Sequence, residues 1–528
     1  MPDCPSAPSE GGRRPISSSL SRNNARAPSS TPSPRRWPAR AARHRHTRSQ
    51  EMELIFEKSR PGRRAVVFDP LDVPEATLPP ALCREEPAAL PEVGELDVVR
   101  HFSRLSQRNF GIDTHFYPLG SCTMKYNPKM AEAVAAHPGF LALHPHLASA
   151  PAMWPLCQGA FELIFELERL LAGIAGMRQV SLQPIAGAHG ELTGTLMIAA
   201  YHREKGNARD TILIPDSAHG TNPASAAIAG FKVVEVPSLP DGTLDPEAFR
   251  KALNESVAGV MMTCPNTHGL FEPRVREIAQ MAHETDALMY YDGANLNAII
   301  GECRPGDLGF DVMHFNLHKT FATPHGMGGP GSGPVGVGER LEAFLPGPRV
   351  VRDGNAFGLA SPPRSIGRIS AFFGNFLIAV RAYAYILHLG GDGLRQVAHN
   401  AVLNANYVYA RLKDLFEPAF DGPFMHECVF SAAPLAKHGV HALDIAKALL
   451  DRGFHAPTVY FPLTVKESLM IEPTETESKE TLDAFCDAMA EIARLAAREP
   501  ETLHAAPVTL PVGRLDEVRA ARELNCRV

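Results

Sequence analysis

The 528-residue chain has no CxxC pair: its nine cysteines, at 4, 83, 122, 157, 264, 303, 428, 486 and 526, stand singly. Closely paired thiols are what a zinc ribbon or a disulfide-stapled scaffold needs, so both are excluded and a reducing compartment is expected. Long apolar runs are also missing. The longest, over residues 369–380, is broken by Arg381, short of the ~18 residues a membrane span requires. No single charge dominates, and a net charge of −6 gives no reason to expect nucleic acid or a strongly charged substrate. Internal repeats are absent. A soluble, cytoplasmic protein is expected.

Residues 1–51 hold ten arginines against three acids (Asp3, Glu10 and Glu51), many Ser and Pro, and few apolar residues. Such a segment cannot offset its ordering entropy, so a disordered basic tail is expected. Its composition also fits an organelle transit peptide, which would make the protein mitochondrial. The many prolines and the lack of an amphipathic helix favour instead a protein that begins at Met52. Residues 52–151 read as a Pro-punctuated N-terminal arm. Its stretch HFYPLGSCTMKYNP, residues 115–128, is dense in hydroxyls and aromatics and contains Lys125; it is either functional or a packing arm.

Residues 154–175 show helical spacing, with Leu163, Leu167, Leu170 and Leu171 on one face. An alternation follows. Apolar runs at 179–184, 211–215, 232–236, 258–263, 287–291 and 311–317 are separated by helix-like stretches at 191–204, 222–230, 246–253 and 273–284. Short strands joined by helices require crossover connections, so the expected fold is α/β with a mainly parallel sheet. The pattern restarts near 391, with helices at 394–415, 443–452 and 478–497 and strands near 428–432, 458–461 and 468–471. The expected domains are a large one at 152–390 and a smaller α/β one at 391–528.

Ligands of such sheets gather at the carboxyl ends of the strands. Five polar loops follow successive strands there, at 186–191, 216–221, 265–269, 292–297 and 318–320. Gly187, Ala188 and His189 come just before a helix expected from Glu191, a position where backbone N–H groups and the helix dipole suit a phosphate. Asp292 ends an apolar strand, where a carboxylate calls for a cationic partner such as a protonated pyridine nitrogen. His219 offers a flat ring for stacking. Lys319 offers an amine able to form a Schiff base. Together these meet the needs of pyridoxal 5'-phosphate. Rival motifs are weaker: the GxGxxG match at 326–331 contains Pro330 and opens no helix. His314 and His318, on one strand, would lie ~13 Å apart, too far to share a metal, and no metal site is expected. His144 and His146 read as surface or capping residues.

The stretches HFYPLGSCTMKYNP, QPIAGAHGE, PDSAHGTNPASA, TCPNTHGLFE, YYDGANLNA and NLHKTFATPHGMGGPG resemble the signatures of the P-protein of the glycine cleavage system, the decarboxylating glycine dehydrogenase. The similarity runs from about Met52 to the C-terminus, and the length resembles the lysine-bearing second subunit of the two-subunit form. Met327 stands where family members often have another glycine. The resemblance implies the aspartate-aminotransferase fold, fold type I. It makes Lys319 the attachment point of the cofactor and pairs Asp292 with the pyridine nitrogen. His219 and Ala294 would lie on opposite ring faces, with His318 joining Gly187, Ala188 and His189 at the phosphate. Asn266 and Thr267 would touch the 3-hydroxyl or the substrate carboxylate. Implied too are glycine as substrate, a lipoylated H-protein as acceptor, and a lysine-lacking subunit 1 in an α2β2 assembly. Two alternatives stand beside it: a general fold-type-I decarboxylase or aminotransferase, and a non-catalytic subunit that docks lipoylated proteins.

Overall fold

A seven-stranded sheet carries the polar rim. The computed structural model describes residues 52–74, 76–86, 88–326 and 331–524; the tail 1–51 and the middle of the glycine run, 327–330, lie outside them. The strands are β1 (Gln179–Ser181), β2 (Thr211–Pro215), β3 (Lys232–Val236), β4 (Val257–Thr263), β5 (Leu288–Gly293), β6 (Val312–Phe315) and β7 (Val335–Val337). Their order is β1-β7-β6-β5-β4-β2-β3. The five strands from β3 to β6 in that order pair in parallel, and β7 runs antiparallel to both β6 and β1. β7 is invisible in the sequence pattern because three residues set among glycines and a proline carry no periodicity.

Strands β2, β4, β5 and β6 are buried along their whole length, which is why they read as unbroken apolar runs. Within β5 the side chains divide by the strand's period of two: Met289 and Tyr291 enter one core, Leu288 and Tyr290 another. Each such burial stabilises the fold by roughly 1.5–3 kcal/mol. The crossovers are the helices Gly187–Glu204, Thr221–Ile228, Pro246–Ala252 and Val275–Glu284. Asp245 starts the third by accepting from the Glu247 and Ala248 amides, with Pro246 in the first turn. The preceding helix, Trp154–Ala175, ends at Gly176 in a left-handed cap with φ 69°.

Two helix starts differ most from expectation. The helix expected from Glu191 begins at Gly187: a Gly-Ala-His-Gly segment reads as loop, yet the first helical turn needs no hydrogen-bonded amides and tolerates it. The helix expected over 394–415 is instead Phe376–Leu412, kinked at Gly390 (φ 62°, ψ −173°). A Gly-Gly pair looks like a break, but the chain resumes helix beyond it.

After the hairpin β8 (Arg349–Asp353) and β9 (Ala356–Ala360) and the kinked helix comes an antiparallel sheet. Its strands are β10 (Glu417–Pro418), β11 (Cys428–Ser431), β12 (Thr458–Val459) and β13 (Ser468–Ile471), in the order β10-β11-β13-β12. Helices Ala442–Asp451 and Lys479–Arg498 share its core through Ile445, Leu449, Phe485 and Met489. The N-terminal arm lies along β13, where Leu119 bridges Ile471 and the Glu472 amide donates to the Pro118 carbonyl at 3.3 Å. Among the described residues no helix is long and apolar enough to cross a membrane, and seven cysteines are unpaired.

Candidate active site

The Gly187–Glu204 helix starts against the end of β6. A Cβ on Gly187 would sit 2.5 Å from Asn316 Oδ1, so any side chain here would push the Asn316 amide aside. The amides of Gly187, Ala188 and His189 open the helix, where no helical carbonyl precedes them and the dipole favours an anion. His189 is half-buried, and its Nδ1 accepts from the Ile185 amide at 3.3 Å.

Asp292, in β5, is 2% exposed. Its Oδ2 accepts from Asn222 Nδ2 at 3.1 Å and from the Thr263 hydroxyl at 3.4 Å, and its Oδ1 from the Ala294 amide at 2.9 Å. Burial alone would raise its pKa. His314, the Ala294 amide, Lys319 and His219 outweigh burial and hold the carboxyl below the usual range. His314 itself, 3.5 Å from Asp292 Oδ1, is pushed by burial down to about 4. Near neutrality its ring is therefore uncharged, and it gains charge only in acid, where Asp292 titrates. The His314 ring is fixed by Tyr290 OH at 2.7 Å from Nδ1 and by Asn316 Nδ2 at 2.8 Å from Nε2.

His219 is steered from behind. Its Nδ1 lies 3.0 Å from the Thr221 hydroxyl, which donates to Glu191 Oε1 at 2.8 Å. Ser225 donates to the other Glu191 oxygen at 3.1 Å. Burial and the nearby Asp292 raise Glu191 to about 7, while burial and Lys319 lower His219.

Lys319 sits in the turn after β6, its Nζ donating to the Ser121 carbonyl at 2.6 Å. The arm is pinned beside it by Lys125, whose buried Nζ donates to the Thr320 carbonyl and to Glu475 Oε1, both at 2.7 Å. Next to Lys319, the His318 ring accepts from the Ser332 amide at 3.2 Å and meets His325 edge-on, and burial with Lys319 pushes it down to about 3.

Lys319, Asp292, His219, Ala294 and His318 thus gather on one rim with the start of the 187–204 helix. Thr267 joins them through its hydroxyl, which donates to the Ser217 carbonyl at 2.5 Å. Asn266 does not point inward: its side chain closes its own loop, donating to the Gly242 carbonyl and accepting from the His268 and Leu270 amides. His144 caps the turn at His146, whose amide donates to its Nδ1 at 3.2 Å. Sequence reasoning missed Glu191, Asn222, His314 and Ser121 as parts of the site. Glu191 and Asn222 stood inside quoted motifs, and an acid in the first turns of an otherwise apolar helix was a usable signal.

An ionised carboxylate, a lysine amine at the next strand end and a helix start with free amides match the ring nitrogen, the aldehyde and the phosphate of pyridoxal phosphate. The glycine at the helix start leaves no Cβ to fill that cradle. Fold and site together define the class: fold-type-I, pyridoxal-phosphate-dependent enzymes. Residues 190–352 match the aminotransferase class-V family and residues 397–505 the glycine dehydrogenase C-terminal domain. The chain is 55% identical over 478 residues to a Chlorobium chlorochromatii protein named probable glycine dehydrogenase (decarboxylating) subunit 2, covering 89% of this chain and 98% of that protein. A Methylococcus capsulatus protein of the same name is 56% identical over 480 residues, covering 89% and 97%. The chain belongs to this glycine dehydrogenase (decarboxylating) subunit 2 family. In fold it is similar to the crystal structure of an inhibitor-bound glycine decarboxylase (P-protein) of the glycine cleavage system, with TM-score 0.66, 24% identity and coverage of 79% and 93%. It is also similar to Lactobacillus brevis glutamate decarboxylase, with TM-score 0.61, 15% identity and coverage of 81% and 96%.

Proposed function

We propose that this enzyme decarboxylates glycine with pyridoxal 5'-phosphate held at Lys319 and passes the aminomethyl group to the lipoyl group of H-protein. It works with a subunit 1 partner in an α2β2 assembly, in the cytoplasm. The observation that carries this reading is the placement of the Lys319 amine, 2.6 Å from an arm carbonyl and on the same rim as the ionised Asp292.

Bound pyridoxal phosphate supplies an electron sink conjugated with the substrate Cα. The chain's own groups do the rest. Asp292 holds the proton on the ring nitrogen, and Asn222, Thr263 and the Ala294 amide keep that carboxylate in place. Gly187, Ala188, His189 and His318 bind the phosphate. His219 and Ala294 would border the two ring faces, and Thr267 would line the edge toward the 3-hydroxyl and the substrate carboxylate; Asn266, turned into its own loop, drops out of this set. Lys319 accepts and releases its proton at Nζ. The 115–128 arm excludes water and any side chain larger than that of glycine. The bond from Cα to the carboxylate breaks and CO2 leaves; the electron pair left on Cα forms a carbon–sulfur bond as the lipoyl S–S bond breaks, and the released sulfur takes up a proton to become the thiol. The division proposed with this reading is an arm at 52–151, a cofactor-binding domain at 152–390 and a small domain at 391–528.

The test is the full chain co-purified with its partner subunit. The wild type should absorb as a lysine-bound pyridoxal enzyme and exchange glycine carboxylate with bicarbonate; Lys319→Ala should lose both. Exchange by the variant would sink the lysine assignment. Turnover of larger amino acids would favour a general decarboxylase or aminotransferase. Failure to hold the cofactor in any assembly would favour a docking subunit.

A further inference from the structure

Two carboxyl groups and an imidazole are buried together at the end of the small sheet, outside the set of groups just described. Glu427 precedes β11 and Glu472 follows β13. Because Cys428 faces Ile471 across this antiparallel pair, the two glutamates occupy the next opposed rung. Both are fully buried, as is His426, and ligand atoms of the three lie within 4.8 Å of one another. Opposed carboxyls in apolar surroundings are unfavourable unless protons or N–H groups meet them.

The arm brings those groups. The Ser121 amide donates to Glu427 Oε2 at 2.7 Å. The Thr123 amide and hydroxyl donate to the two oxygens of Glu472 at 2.9 and 2.6 Å, and Asn297 adds a bond to Oε1 at 3.3 Å. Three of the four carboxyl oxygens are thus taken by protein donors, which leaves a poor ligand set for a metal ion. The fourth, Glu427 Oε1, makes no hydrogen bond and lies 3.6 Å from His426 Nε2. Burial and the neighbouring Glu472 drive the Glu427 carboxyl well up.

The segment so held is strained. Ser121 and Thr123 are left-handed, with φ 59° and 43°, a region that a β-branched residue such as threonine rarely adopts. This turn aims the Ser121 carbonyl at Lys319 Nζ, 2.6 Å away.

We propose that Glu427 and Glu472 are positioning residues for Lys319: by holding residues 121–123 in their left-handed turn, they set where the lysine amine rests when it is not bonded to cofactor. The proposal rests on the reading of Lys319 as the attachment point. A merely structural pair would change stability alone; a positioning pair changes how readily the lysine is exchanged, in a protein that still folds.

The experiment uses the full chain with its partner subunit, loaded with pyridoxal phosphate, as wild type, Glu427→Gln and Glu427→Leu. Borohydride reduction and peptide mass spectrometry read attachment at Lys319. The absorbance change on adding hydroxylamine reads the rate at which the lysine is displaced. Glutamine keeps a neutral acceptor for the Ser121 amide and leucine removes it. All three should label at Lys319, with the displacement rate of Glu427→Gln within about twofold of wild type and that of Glu427→Leu changed by about tenfold. A wild-type rate in Glu427→Leu overturns the proposal. Should that variant not fold, Thr123→Val removes one donor and should change the rate by about threefold; an unchanged rate there overturns the proposal equally. Absence of label at Lys319 in the wild type overturns the lysine reading itself, and the proposal with it.

Discussion

Asp292 and Glu472 are both fully buried carboxyls beside strands, yet the protein treats them in opposite ways. Asp292 ends a parallel strand whose neighbours supply an amide, a carboxamide, an imidazole and the Lys319 amine, and it is held ionised below the usual range. Glu472 follows an antiparallel strand whose opposed residue is another acid, and burial raises it to about 7 although Thr123 and Lys319 oppose the rise. Burial therefore does not decide a carboxyl's state; the groups that its strand partners bring do. The ionised site suits recognition of a cation on a ring nitrogen. The raised pair, met by the Ser121 and Thr123 amides, suits holding backbone in place.

The contrast can be broken from either side. Asp292→Asn removes the charge and keeps the shape, and kcat/KM for glycine should fall by roughly 10²-fold or more, with a shifted cofactor absorbance. A fall of less than threefold would deny Asp292 its role at the ring nitrogen. Asn222→Ala takes away one donor to Asp292 Oδ2 and leaves the Thr263 hydroxyl and Ala294 amide, so a loss of about tenfold is expected, with a net stability cost of roughly 1–3 kcal/mol. Chemical denaturation and steady-state kinetics check the two parts separately.

The weakest expected effect concerns stability against pH. The Glu472 carboxyl rises from 4.5 unfolded to about 7 folded, so between those values the folded chain holds more protons than the unfolded one. Its contribution is full below pH 4.5 and is lost as pH rises through about 7. Asp292 behaves oppositely: its folded value is depressed below 3.8, and its contribution is lost only in acid, as pH falls through that lower value. Glu472→Gln should flatten the decline in Tm between pH 4.5 and 7, and an unaltered profile would place the titration elsewhere.

Much of the large sheet was legible because its signals are local. Thr211–Pro215 and Lys232–Val236 are found where continuous apolar or β-branched runs predict them, and the rim loops follow from strand ends. Lys319 and Asp292 stood out for that reason. The start of the helix at Gly187 was hidden by residues that read as loop, and Val335–Val337 by its shortness. Glu427 and Glu472 each carried the same signal as Asp292, an acid bordering an apolar strand, but 45 residues separate them. Only the register of Cys428 against Ile471 makes them a pair.

Hydrophobic period, strand-end loops and motif residues were enough to establish the α/β class, the rim and the lysine, because each depends on neighbours a few positions away. The charge state of Asp292, the steering of His219 by Thr221 and Glu191, and the Ser121 carbonyl that meets Lys319 from 198 residues upstream belong to the packed chain alone. These depend on distances that close only when separate strands and the arm are buried against one another, and on the desolvation that comes with that burial.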